Sequence, residues 1–295
     1  MFTQPDRPAG RGHHVQPSPV KRVALELGLA TLEPLRLREA LPALQALEAD
    51  LFALASYGKI VPQALLDLPR LGALNVHPSL LPLYRGATPL QTQLRDGVRE
   101  GGVTLMLMDA GLDTGDIVLQ SASPIGATEN YGELHDRFAQ LGAELLAEAF
   151  RIASREGSLP RTPQSARDVA PERIAATSTR PLDKADLEID WHWPARRVVD
   201  CVRALAPAPG ARAELAGERV KILRATIVAA SAGSPNGNAK DGDAPHGYVP
   251  GMLRGTAGSA ALVECGDGPV ALERIVPPKR GEMDGASFAR ARSAR

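Results

Sequence analysis

Two short apolar runs each break off into a polar motif, and that arrangement restricts the fold more than any other feature of the chain. Residues 71–74 run into NVHPSLLP at 75–82, and residues 103–108 run into DAGLDTGD at 109–116. Runs of this length, bounded by turn residues, suit buried strands. In an extended strand, residues two apart point to one face, so Asn75 and His77 share a side if the strand reaches that far. The glycines of the second motif allow Asp113 to sit on a tight turn. An amide, an imidazole and a carboxylate at neighbouring strand ends can supply an oxyanion donor, a proton acceptor and an orienter.

The rest of the chain supports that geometry. Residues 50–56 form another short apolar run suited to a buried strand, and 117–124 a further one. Before, between and after these runs stand helical patterns at 35–47, 62–66, 87–96 and 131–155, the last with apolar residues at helical spacing from Leu134 to Phe150. Ser18-Pro19 reads as a helix start, with Ser as N-cap and Pro at the first helical position. Strands alternating with helices predict an α/β fold: an open, mostly parallel, Rossmann-like sheet that binds ligands at the carboxyl ends of its strands. Both motifs fall there.

Near residue 160 the texture changes. Residues 160–184 are polar and broken by prolines, as expected of a linker, so that 1–159 reads as the catalytic domain. From 185 to 295, a short helix at 194–205 is followed by β-like runs at 220–223, 261–263 and 270–272 between glycine-rich turns, which predicts a small β-barrel. The stretch 230–246, low in apolar residues, is expected to be a mobile loop. Asp190-Trp191-His192-Trp193 looks like an aromatic anchor at the start of this domain.

Charge excludes little: Lys+Arg and Asp+Glu both number 34, so the net charge is silent about a nucleic-acid partner. Cys201 and Cys265 fit no metal spacing and read as two reduced thiols. No run approaches the roughly 18 apolar residues of a membrane span, and no apolar signal core opens the chain. We therefore expect a cytoplasmic protein without a metal. Residues 1–22 are rich in Pro, Gly and basic side chains and should form a loop with little regular structure. Arg7, Arg11, Lys21 and Arg22 concentrate positive charge there against Asp6 alone, a pattern that attracts phosphates.

NVHPSLLP together with DAGLDTGD resembles the 10-formyltetrahydrofolate-dependent formyltransferases. The block TQPDRPAGRG with SPVK, at 3–12 and 18–21, resembles the branch of that family that formylates initiator methionyl-tRNA. The resemblance covers the whole chain, more weakly after residue 160. It implies Asn75, His77 and Asp113 as catalytic residues and Ser79, Leu80, Leu81 and Pro82 as the lining of the folate pocket. It also implies 10-formyltetrahydrofolate as co-substrate, an OB-like tail that binds tRNA, and a basic loop in which Arg7, Arg11 and Lys21 meet the tRNA, Arg11 foremost. A monomer is expected. The implied reaction fits the residues. An amine attacks a formyl carbon, Asn75 donates to the oxyanion, His77 takes the proton and Asp113 steadies the imidazole.

The chain departs from the family at its beginning. Members carry a strand, a glycine turn, a helix and a second strand, about thirty residues on a typical strand–helix–strand length, before TQPDRPAGRG; here Met1-Phe2 stands directly before Thr3. A chain without that unit is expected to fold poorly or to lack full activity. Leu83 stands where members often carry a basic residue, and 206–210 (APAPG) where an aromatic is common. Two alternatives remain open on the sequence: another folate-dependent formyltransferase, acting on a nucleotide precursor or an amino sugar, or a chain that only binds RNA or folate.

Overall fold

A computed structural model of the protein describes residues 1–9, 14–228 and 249–293. Arg11 and the 230–246 stretch lie outside the described residues. The chain divides into two compact units, each assembled from separate stretches. The first comprises Met1–His77, Val103–Ser121 and Gly142–Val169; the second comprises Pro78–Gly102, Ala122–Leu141 and Ala170–Arg295.

The first unit opens with an antiparallel hairpin, β1 (Arg7–Ala9) and β2 (His14–Gln16), where the sequence suggested an irregular loop. Helix α1 (Pro19–Glu26) starts as expected: Ser18 Oγ accepts from the Lys21 amide and Pro19 opens the first turn. The 35–47 pattern is broken at Pro42 into a 3-10 turn (Leu37–Ala40) and a short α2 (Leu41–Gln45), because proline starts a helix more readily than it continues one. Strand β3 (Phe52–Leu54), α3 (Gln63–Leu66) and β4 (Ala73–His77) follow.

Helix α4 (Pro89–Arg95), β5 (Glu100–Leu107), β6 (Ile117–Pro124) and α5 (Tyr131–Glu156) come next; the last three run through both units. The sheet order is β3-β4-β5-β6. The open α/β sheet is thus borne out, with a mixed pairing in detail: β3 and β4 are parallel, β4 and β5 antiparallel. Its core gathers Leu71, Leu74, Leu105, Leu107, Val118, Ala149 and Leu159. Helix α5 lies hard against β4. A Cβ added at Gly142 would meet Val76 Cγ1 at 2.6 Å. Since Val76 alternates with Asn75 and His77, α5 covers the sheet face opposite to theirs.

In the second unit, Asn130 and Glu133 cap α5 reciprocally, each side chain accepting from the other's backbone amide. Helices α6 (Pro171–Ala176) and α7 (Ala195–Leu205) precede the antiparallel sheet. Its strands are β7 (Ala211–Leu215), β8 (Glu218–Ile227), β9 (Leu253–Ala257), β10 (Ala260–Cys265), β11 (Gly268–Val276) and β12 (Met283–Asp284), closed off by α8 (Gly285–Ser293). Their order is β7-β8-β11-β10-β9, with β12 also on β11 and irregular register along β11 and β10. This is the small barrel-like domain that the glycine-spaced runs suggested. Trp191, Val198, Ile222, Val263, Leu272 and Phe288 fill its core together with both cysteines, which are free thiols. Trp191 is anchored by its indole N–H to the carbonyl of Glu214 at 2.9 Å.

Candidate active site

Asn75 and His77 end β4 on one face. Asn75 is half-buried and stands opposite Met106, whereas His77 is buried and stands opposite Thr104 on β5. Two residues after that pairing ends at Leu107, the chain turns through 109–116. The Asp109 carboxylate braces the turn, accepting from the Gly111 amide at 3.0 Å and from Thr114 Oγ1 at 2.7 Å. Asp113 takes the left-handed conformation, φ 53°. The turn has no room for larger residues at its glycines: a Cβ on Gly115 would stand 1.8 Å from the carbonyl oxygen of Leu107. Held this way, Asp113 Oδ2 lies 3.6 Å from His77 Nδ1, charge-pairing distance rather than hydrogen-bond length for these two atoms. Both side chains are largely shielded, at 4 % and 14 % exposure, and a low local dielectric strengthens such a pair.

The structure therefore brings together the amide-bearing strand end, the imidazole and the carboxylate singled out in the sequence. It also adds a residue that sequence reasoning missed. Gln164, only 5 % exposed, donates through Nε2 to the carbonyls of Asp113 at 2.9 Å and of Gly115 at 2.8 Å. It sits in the polar 160–184 stretch, whose composition signals a connection. The sole available hint was a glutamine between prolines and charges, too weak to single out.

The SLLP segment belongs to the second unit. Ser79 is fully buried, and its hydroxyl donates to the Leu83 carbonyl at 2.7 Å. Leu81 and Pro82 are buried too, joined by a cis peptide bond, while Leu80 is half-exposed. Gln93, 1 % exposed, pins the entry of this segment by donating to the Pro78 carbonyl at 2.9 Å. The following loop is sewn to the 177–180 stretch: Thr179 Oγ1 accepts from the Thr88 amide at 3.0 Å, and Thr88 Oγ1 donates to the Arg180 carbonyl at 2.8 Å.

Of the basic residues expected to meet tRNA, Arg7 is exposed on β1. Lys21 instead stands between two carboxylates, 2.8 Å from Asp6 and 2.7 Å from Glu33. Hydrogen bonding to these two raises its pKa above the usual lysine value. Its charge anchors the base of the loop. Among the described residues, no group of three or more His, Cys, Asp or Glu side chains is placed to hold a metal ion.

Two family models match this chain: formyl transferase over residues 1–150, and formyl transferase, C-terminal domain, over 181–293. The protein belongs to the formyl transferase family. Among its relatives within that family, the methionyl-tRNA formyltransferase of Chromohalobacter salexigens is 44 % identical over 93 % of this chain and 79 % of that protein. The methionyl-tRNA formyltransferase of Ralstonia nicotianae is 37 % identical over 98 % and 85 %. Solved structures share the formyltransferase fold. HypX from Aquifex aeolicus, in complex with tetrahydrofolic acid, superposes with TM-score 0.64 at 18 % identity, over 91 % of this chain and 44 % of that one. WlaRD, a sugar 3N-formyl transferase crystallised with dTDP and 5-N-formyl-THF, gives 0.60 at 16 %, over 89 % and 82 %.

Proposed function

We propose that this formyl transferase moves the formyl group of 10-formyltetrahydrofolate to the α-amino group of methionyl initiator tRNA. The observation that carries the chemistry is the convergence of Asn75, His77 and Asp113 at the end of β4, with Asp113 facing His77 Nδ1. The substrate follows from the relatives, methionyl-tRNA formyltransferases that align along nearly the whole chain.

Each residue then has a task. The Asn75 amide donates to the formyl oxygen as that oxygen gains negative charge. Such a donor acts where charge develops and contributes little to ground-state binding. The attacking amine must lose a proton, and an imidazole with an ordinary pKa of about 6.5 accepts it near neutrality. Asp113 beside Nδ1 favours the tautomer protonated there, makes Nε2 the basic nitrogen and steadies the imidazolium. Ser79, Leu80, Leu81 and Pro82 follow within a few residues of His77 and form the folate-binding segment, Leu80 by its side chain and the buried three by shaping the backbone. Residues 1–159 supply the catalytic domain and 160–184 the connection. Residues 185–295 supply an OB-like domain for the tRNA, which Arg7 and Arg11 meet from the other end of the chain. A translation substrate supports a cytoplasmic enzyme, which we take to act as a monomer.

The test is transfer of labelled formyl to methionyl initiator tRNA, run beside an amino-sugar nucleotide as rival acceptor. Label should appear on the methionyl amine alone. His77→Ala should abolish transfer while folate still binds; label on the sugar, or undiminished transfer by the variant, would refute the assignment.

A further inference from the structure

The base of the turn that carries Asp113 is closed by the Leu107 amide, which donates to the Asp116 carbonyl at 2.9 Å. The Asp109 carboxylate braces its outer side, and Gly111 and Gly115 permit its tight path. Its inner side presents two backbone carbonyls, those of Asp113 and Gly115, on either side of Thr114. A single amide group meets both. Gln164 Nε2 spends its two hydrogens on them, at 2.9 and 2.8 Å. Gln164 is itself fixed. Thr162 exchanges two backbone hydrogen bonds with Ile117 at the start of β6, both 2.9 Å, Pro163 restricts the next step, and Gln164 begins a 3-10 turn. At 5 % exposure, water cannot readily replace the bonds that its side chain makes.

We infer that Gln164 is a positioning residue for catalysis: it sets the inclination of the 109–116 turn and so the approach of the Asp113 carboxylate to His77. This rests on the proposed roles of Asp113 and His77. Gln164 acts not on the reacting atoms but through the backbone on which Asp113 is carried. A polar stretch between the two matched family segments thereby becomes part of the catalytic apparatus. Both donors reach the turn's backbone from one buried side chain, so removing them should let the carboxylate drift.

The experiment is a double-mutant cycle. Gln164→Met keeps the side chain's length and removes both donors; it is made in the native protein and in Asp113→Asn, with kcat and KM measured for both substrates. In the native background kcat should fall about 10- to 100-fold, the scale on which small misplacements act, with KM changed less than about twofold. In the Asp113→Asn background the further loss should be under about threefold, since the route is already cut. Should Gln164→Met lower the yield of folded protein, Gln164→Glu, which keeps shape and faces both carbonyls with oxygen, carries the same test. An equal loss in both backgrounds, a loss confined to KM, or native kcat in Gln164→Met would overturn the inference while Asp113 keeps its role. Native activity in Asp113→Asn would overturn that role, and this inference with it.

Discussion

At the scale of single residues, the proposed chemistry makes demands that can be separated. Asn75→Ala removes an oxyanion donor and leaves the strand intact, so kcat should fall about 10²–10³-fold with little change in folate affinity. Steady-state kinetics beside a folate-binding titration checks the split; a loss in affinity alone would move Asn75 from catalysis to binding. Gly115→Ala is a different kind of change. Its methyl would overlap the Leu107 carbonyl oxygen, and relief of such overpacking typically costs about 1–3 kcal/mol. Because the displaced backbone is the one that carries Asp113, kcat should drop with stability, and urea unfolding together with turnover would show both. The asparagine and the histidine were legible in the sequence because a spacing of two after an apolar run has one meaning on a strand. Asp113 was legible from its glycines. Gln164 was not: its partners are about fifty positions away in the chain, and nothing in local composition marks a glutamine whose task is to satisfy two distant carbonyls.

Among elements, what matters is how β4 is held. Its neighbour β3 runs parallel and its neighbour β5 antiparallel, a distinction that apolar runs cannot carry, since a buried strand reads alike in either direction. The alternation of strands and helices did disclose the layers. The hairpin β1–β2 escaped because a Pro-, Gly- and Arg-rich stretch has none of the alternation that announces a strand. From the other side β4 is backed by α5, whose Gly142 lets Val76 approach without a side chain between. Gly142→Ala adds good helix propensity, yet the new methyl must displace Val76. The packing term should win, with a net destabilisation of about 1–2 kcal/mol and a lower kcat, because Asn75 and His77 flank the displaced residue. Chemical denaturation and turnover on one preparation would decide; a more stable variant would show that α5 has slack against the sheet.

For the molecule as a whole, acid should be the weak side. Burial works against ionised Asp186 and Glu129, but the Asp183 amide and Arg180 outweigh it at Asp186, and Arg137 with the Gly126 amide outweigh it at Glu129, so both carboxyls titrate below their usual range. A carboxylate with a depressed folded pKa stabilises fully above its unfolded value, about 4, and that stabilisation disappears as pH falls through the folded value. The urea midpoint should therefore stay level from neutrality to about pH 5 and fall below about pH 4. Asp186→Asn should flatten part of that decline, and an unchanged profile would remove Asp186 from the account. Cys201 and Cys265 provide a means of watching the second unit open. Burial pushes both thiols up, Cys265 to about 12 with Asp267 and Glu264 adding to it, so neither is exposed or ionised enough to react while the core is closed. An alkylating reagent should mark both at one common rate, set by how often that core opens rather than by reagent access to either site. The native chain thus carries a pair of internal clocks for its own opening, readable by mass without any introduced label.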